Sequence, residues 1–139
     1  MAEMRPTFQI TIGADPGQVA GVGTAFAAFA EAHKVPPAIR RSVSVALDEL
    51  LTNAITHGSA GEVSIEAELQ ADRVCVTLRD DGGPFNPLEL GGPDTGRSVE
   101  ERPIGGLGVH LARRMMDELA YQRRADRNVV TLTKFLTRG

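Results

Sequence analysis

Glu49-Leu50-Leu51-Thr52-Asn53 lies within residues 38–57, a stretch that holds neither proline nor glycine. Ile39, Val43, Ala46, Leu50 and Ile55 recur there near helical spacing, and Gly58 follows as the expected C-terminal cap. This pattern predicts a long helix. Glu49 and Asn53 are an i, i+4 pair and share one of its faces. A carboxylate and a carboxamide projecting together suit a hard cation. Magnesium takes oxygen ligands, few of them from protein and the rest from water and phosphate. Asn53 would hold the ion, leaving Glu49 free as a general base. The same pair is also common on a solvated helix face, and alone it does not choose between the two. His57 continues this face one turn on, either near phosphate or against the helix's own C-terminal dipole. Asp48 points elsewhere and reads as solvated.

Upstream, Phe8-Gln9-Ile10-Thr11-Ile12 alternates as a half-buried strand does. Asp15-Pro16 then offers an N-cap and a first-turn proline to a helix running to about His33. Val19, Val22, Phe26 and Phe29 form its apolar side, while Gly21 and Gly23 weaken its first half. Downstream, residues 62–69 and 74–78 read as two strands joined at 70–73, the second richer in β-branched residues. Residues 82–106 are rich in glycine and proline, and a segment this long without regular structure is usually functional. Residues 107–119 read as a helix with Leu111, Met115 and Leu119 on one side. A last hairpin pairs 121–124 with 128–133. Short turns make the strand pairs antiparallel. The predicted fold is α+β: a two-layer α/β sandwich with a mixed, mostly antiparallel sheet and helices packed on one face.

The bulk numbers fit one domain over 1–139: 139 residues, 42% hydrophobic and 24% charged. A net charge of −3 gives no basic surface for nucleic acid. Arg113-Arg114 and Arg123-Arg124 are interleaved with Asp117, Glu118 and Asp126 and read as solvated faces. The single cysteine, Cys75, allows neither an internal disulfide nor a cysteine metal cluster. With no membrane-length apolar run and no signal-peptide pattern, a cytoplasmic protein is expected.

Two further motifs follow the Glu49–Asn53 pair. In Asp80-Asp81-Gly82-Gly83-Pro84-Phe85, an aspartate at a strand end can accept a hydrogen bond from an exocyclic amine such as that of adenine. Gly82 would let the backbone approach a flat base, although Asp-Asp-Gly-Gly is also an ordinary turn. Gly105-Gly106-Leu107-Gly108 opens a helix, where backbone amides bind phosphate well. Arg97 or Arg102 just before it could contact phosphate. A Rossmann reading fails for want of a βα unit with a following ribose-binding acid. A P-loop reading fails because no Gly-Lys-Ser/Thr follows.

In this order the motifs resemble the GHKL ATP-binding superfamily, of Bergerat fold, and within it the stand-alone anti-sigma factor serine/threonine kinases. Glu49, Asn53, Ala54, His57 and Gly58 match their helix pattern, and the likeness runs from about residue 6 to 136. The resemblance implies ATP and magnesium as ligands, with Asn53 holding the ion and Glu49 activating the attacking hydroxyl. Asp80 would accept the adenine amine with Gly82 beneath the base. Gly105, Gly106, Leu107 and Gly108 would wrap the phosphates, with His57 and Arg102 as further contacts and residues 83–104 as the lid. The implied partners are a sigma factor and an antagonist protein phosphorylated on serine, the kinase acting as a homodimer without nucleic acid or membrane. A non-catalytic ATP-dependent binding switch, or an ATP-binding partner of a phosphatase or sensor system, fits the same motifs. Where many relatives carry Gly-Thr entering the last strand, this chain has Arg127-Asn128-Val129, and Thr131 could supply the adenine contact only after a register shift.

Overall fold

The computed structural model describes residues 5–89 and 106–136, with side chains from residue 110 onward in the second segment. Its elements are β1 (Thr7–Gly13), α1 (Val19–Ala32), α2 (Pro37–His57), β2 (Glu62–Leu69), β3 (Arg73–Asp80), α3 (Gly106–Met115), β4 (Glu118–Arg124) and β5 (Arg127–Phe135). Single 3-10 turns cover Pro16–Gln18 and Pro87–Glu89. The five strands form one sheet in the order β1-β2-β3-β5-β4. Every pairing among the described residues is antiparallel, so the mostly antiparallel α+β sheet expected from the sequence holds, without a parallel pair among those residues.

Strand alternation decides where the core sits. Val63, Ile65 and Ala67 on β2, Val74, Val76 and Leu78 on β3, and Val130 and Leu132 on β5 are buried and face the helices. Alternate residues such as Glu62, Glu66 and Arg79 stay exposed on the other side. α2 is the central helix: it packs against both α1 and α3 and buries Val43, Ala46, Leu47, Leu50 and Leu51. Phe8, Phe26 and Phe29 close the β1 end with ring centroids 5.7–6.4 Å apart.

α1 forms in spite of Gly21 and Gly23. Burial of Val19, Val22, Phe26 and Ala30 outweighs the propensity cost of the glycines. The expected cap at Gly58 takes another form. It is extended (φ −90°, ψ −174°) rather than left-handed, and its N–H still reaches the Ala54 carbonyl.

The helix expected over 107–119 ends at Met115, because Asp117 is drawn into the sheet. Its N–H donates to the Thr133 carbonyl at 2.9 Å, and its carboxylate accepts the Phe135 N–H at 2.6 Å. Leu119 therefore lies in β4 opposite Leu132. The spacing of Leu111, Met115 and Leu119 fits a helix, but the interstrand bonds of Asp117 override it.

Candidate active site

The site lies where the C-terminal half of α2 meets the ends of β3 and β5. Asn53 on α2 is only 1% exposed, in a helix otherwise buried through apolar residues. Its Nδ2 has no hydrogen-bond partner among the described residues. A buried amide left unpaired costs about 1–3 kcal/mol, so its presence calls for a ligand or another reason. Glu49, half-buried one turn earlier, forms no ion pair among the described residues. His57 is exposed at the helix end. The α2 side of the site thus presents a carboxylate and a carboxamide whose polar atoms are left to something other than the described chain.

The sheet side is densely hydrogen-bonded within the chain, save for one carboxylate oxygen. Asp80 is 8% exposed and pairs with Asn128, itself 2% exposed, in the β3–β5 register. Asp80 Oδ1 accepts from Gly82 N–H and from Asn128 Nδ2, both at 2.9 Å. Asn128 Nδ2 also donates to the Gly83 carbonyl at 2.8 Å. Asn128 Oδ1 accepts from Tyr121 Oη at 2.6 Å, Phe85 N–H at 3.1 Å and Arg123 Nη1 at 3.2 Å. Arg123 Nη1 further donates to the Gly82 carbonyl at 2.7 Å. Asp80 Oδ2 is engaged by none of the described residues.

The two adjacent aspartates divide their work. Asp81 points outward, and its Oδ1 accepts from Gly61 N–H at 2.8 Å and Glu62 N–H at 3.1 Å. These bonds, that of Gly61 first, hold its carboxyl below the ordinary value of 3.8. Gly82 is glycine for a steric reason nearer than a nucleobase. A Cβ there would lie 2.8 Å from Ala60 N and 3.0 Å from Ser59 C, so the α2–β2 turn leaves it no room. Ser59 Oγ in turn accepts the Gly83 N–H at 2.9 Å.

Thr131 is excluded from this cluster. It pairs with Thr77 on the face away from the helices, between the core residues Val130 and Leu132. Asn128, not Thr131, reaches Asp80. Gly106, Leu107 and Gly108 form the first turn of α3, as expected of a helix-opening motif. Gly105, Arg102 and the expected lid from residue 90 onward lie outside the described residues. In the described first part of the expected lid, the Leu88 carbonyl accepts Arg113 Nη2 of α3 at 2.9 Å. Arg123, expected on a solvated face, instead bonds Gly82 and Asn128, and Tyr121, expected only as a strand residue, joins it, since only the register of β4 on β5 brings them to Asn128. A cluster of three or more metal-ligating side chains is absent among the described residues, so a cation here would lean on Asn53 and on phosphate oxygens.

The model of the histidine kinase-like ATPase domain family matches residues 12–134. The chain belongs to this family. ATP binding goes with the domain, and the unpaired Asn53 amide and the free edge of Asp80 suit it. Among curated relatives, the serine-protein kinase RsbW of Bacillus pumilus is 33% identical over 106 residues, 69% of this chain and 65% of that protein. The serine/threonine-protein kinase BtrW of Bordetella bronchiseptica is 29% identical over 99 residues, 68% of this chain and 70% of that one. The match thus takes in just under two thirds of the RsbW length. A crystal structure of the RsbU and RsbW domains of a Mycobacterium tuberculosis protein superimposes with a TM-score of 0.70 at 19% identity, covering 96% of this chain and 33% of that one. That likeness carries the histidine kinase-like fold. Among the described residues no helix is long and apolar enough to cross a membrane.

Proposed function

We propose that this chain is an ATP- and magnesium-dependent serine/threonine kinase of the anti-sigma type. It phosphorylates a serine of a small antagonist protein, binds and sequesters a sigma factor, and works as a cytoplasmic homodimer. The observation that carries this reading is the buried Asn53 carboxamide, unpaired at Nδ2, one turn beyond a Glu49 that no described cation neutralises. A module that only bound nucleotide would need no such carboxylate. The names of the RsbW and BtrW relatives as serine and serine/threonine kinases support the reaction class.

Asp80 Oδ2 would accept the exocyclic amine of adenine, and Asn53 would hold the cation and the phosphates beside it. Gly105, Gly106, Leu107 and Gly108 offer backbone N–H groups to the phosphates, with His57 and Arg102 as further contacts. Magnesium, when bound, neutralises the β- and γ-phosphate charge. The antagonist's serine oxygen forms a bond to the γ-phosphorus while the bond to the β,γ-bridging oxygen breaks and ADP leaves. The serine proton passes to Glu49.

The test is incubation of the full chain with magnesium, labelled ATP and candidate antagonist proteins. Label on antagonist serine, lost in Glu49→Gln, is the expected result. ATP binding with no transfer to any antagonist would sink the kinase and leave a nucleotide-dependent binding switch.

A further inference from the structure

The Asp80–Asn128 pair has a consequence beyond ATP binding itself. The orientation of the Asn128 amide is fixed by two backbone groups of opposite character: the Gly83 carbonyl can only accept, and the Phe85 N–H can only donate. Nδ2 must therefore face Asp80. Two donors, Asn128 Nδ2 and Gly82 N–H, then converge on the same oxygen, Oδ1. The carboxylate plane is locked, and Oδ2 alone remains for a ligand. Tyr121 and Arg123, from the edge strand β4, lock Asn128 from behind.

We infer that Asn128 is the positioning residue that sets nucleobase specificity, holding Asp80 so that it accepts from a 6-amino purine and rejects a 6-oxo purine. The inference rests on Asp80 being the group that meets the base. A fixed carboxylate oxygen can accept from an amine. Opposite a 6-oxo group it sets two acceptors against each other, and neither is satisfied. A carboxylate free to rotate offers the same oxygens without fixed direction, and the contrast between the two bases shrinks. The amide thus transmits the rigidity of the β4–β5 hairpin to the base.

The experiment measures ATP and ITP affinity of the full chain with magnesium, in the parent and in Asp80→Asn, Asn128→Ala, Asn128→Thr, Arg123→Ala and Tyr121→Phe. The parent is expected to prefer ATP. Asp80→Asn should abolish the preference. Asn128→Ala should cut the ATP-to-ITP ratio by about tenfold, chiefly through weaker ATP binding. Asn128→Thr, whose hydroxyl can donate to Oδ1, should recover part of it. If Asn128→Ala does not fold, Arg123→Ala and Tyr121→Phe carry the test, each with a smaller fall in the ratio.

Equal weakening of ATP and ITP in Asn128→Ala, or an unchanged ratio in folded Arg123→Ala and Tyr121→Phe, would overturn the positioning role. In either case Asp80→Asn would still lose the preference. An unchanged ratio in Asp80→Asn would instead remove Asp80 from the base, and the inference with it.

Discussion

Asn53 and Asn128 are both buried carboxamides, 1% and 2% exposed, yet their hydrogen bonding is opposite. Asn128 donates both its N–H groups and accepts three bonds, all within the chain. Asn53 Nδ2 has no partner among the described residues. A saturated amide at 128 is scaffold, since it ties three strands and the 82–85 loop together. An unsaturated amide at 53 lowers the stability of the free protein and suits a site completed by its ligand. The sheet side of the site is preorganised, and the α2 side is left open.

The sharpest way to break this contrast is at Glu49, the carboxylate of the open side. Glu49→Gln should lower phosphoryl transfer by about 10²–10⁴-fold while ATP affinity stays within about twofold, as expected for loss of a general base. Single-turnover transfer with labelled ATP checks it, and equal rates would remove Glu49 from the chemistry.

Next come the two asparagines, compared by urea unfolding without nucleotide. Asn128→Ala should cost about 2–3 kcal/mol because its partners lose their bonds, whereas Asn53→Ala should change stability by less than about 1 kcal/mol. In binding Asn53 should no longer be the milder of the two. Asn53→Ala should weaken ATP in magnesium by at least about tenfold, since hydrogen bonds to charged groups contribute about 1.5–3 kcal/mol. Equal stability losses at both positions would erase the distinction.

Gly82→Ala sharpens the scaffold side. Its Cβ would press on Ala60 N, and a loss of about 1–3 kcal/mol is expected by thermal or urea unfolding. A neutral result would mean that the Ser59–Ala60 turn yields.

The smallest effect is expected at Asp81. Its carboxyl is held below the ordinary 3.8, so it stabilises the fold above that value, and the contribution is lost as pH falls through the folded pKa. Asp81→Asn should therefore lower the unfolding midpoint at neutral pH and converge with the parent in acid. Parallel curves at all pH values would contradict it.

Much of this was legible in the chain. The α2 helix was plain because twenty residues without proline or glycine, 38–57, carry a helical apolar repeat. The hairpins were plain because alternation and short turns are local. Asp80 was legible because a strand end and a glycine turn place it. The helical reading of 107–119 failed at Asp117, whose partners Thr133 and Phe135 belong to another strand. Thr131 could not be sorted from Asn128 without the β3–β5 register, because a shift of one residue exchanges the two sheet faces.

By itself the sequence determined the element types, the helix face shared by Glu49 and Asn53, and the order of motifs that marks the family. These follow from local spacing, which the backbone converts directly into faces. Tertiary structure alone decided which polar groups are satisfied. Hydrogen-bond saturation depends on strand register and on the approach of distant turns. It made Asn128 the partner of Asp80, turned Asp81 away to the α2–β2 turn, and left the Asn53 amide without a partner among the described residues.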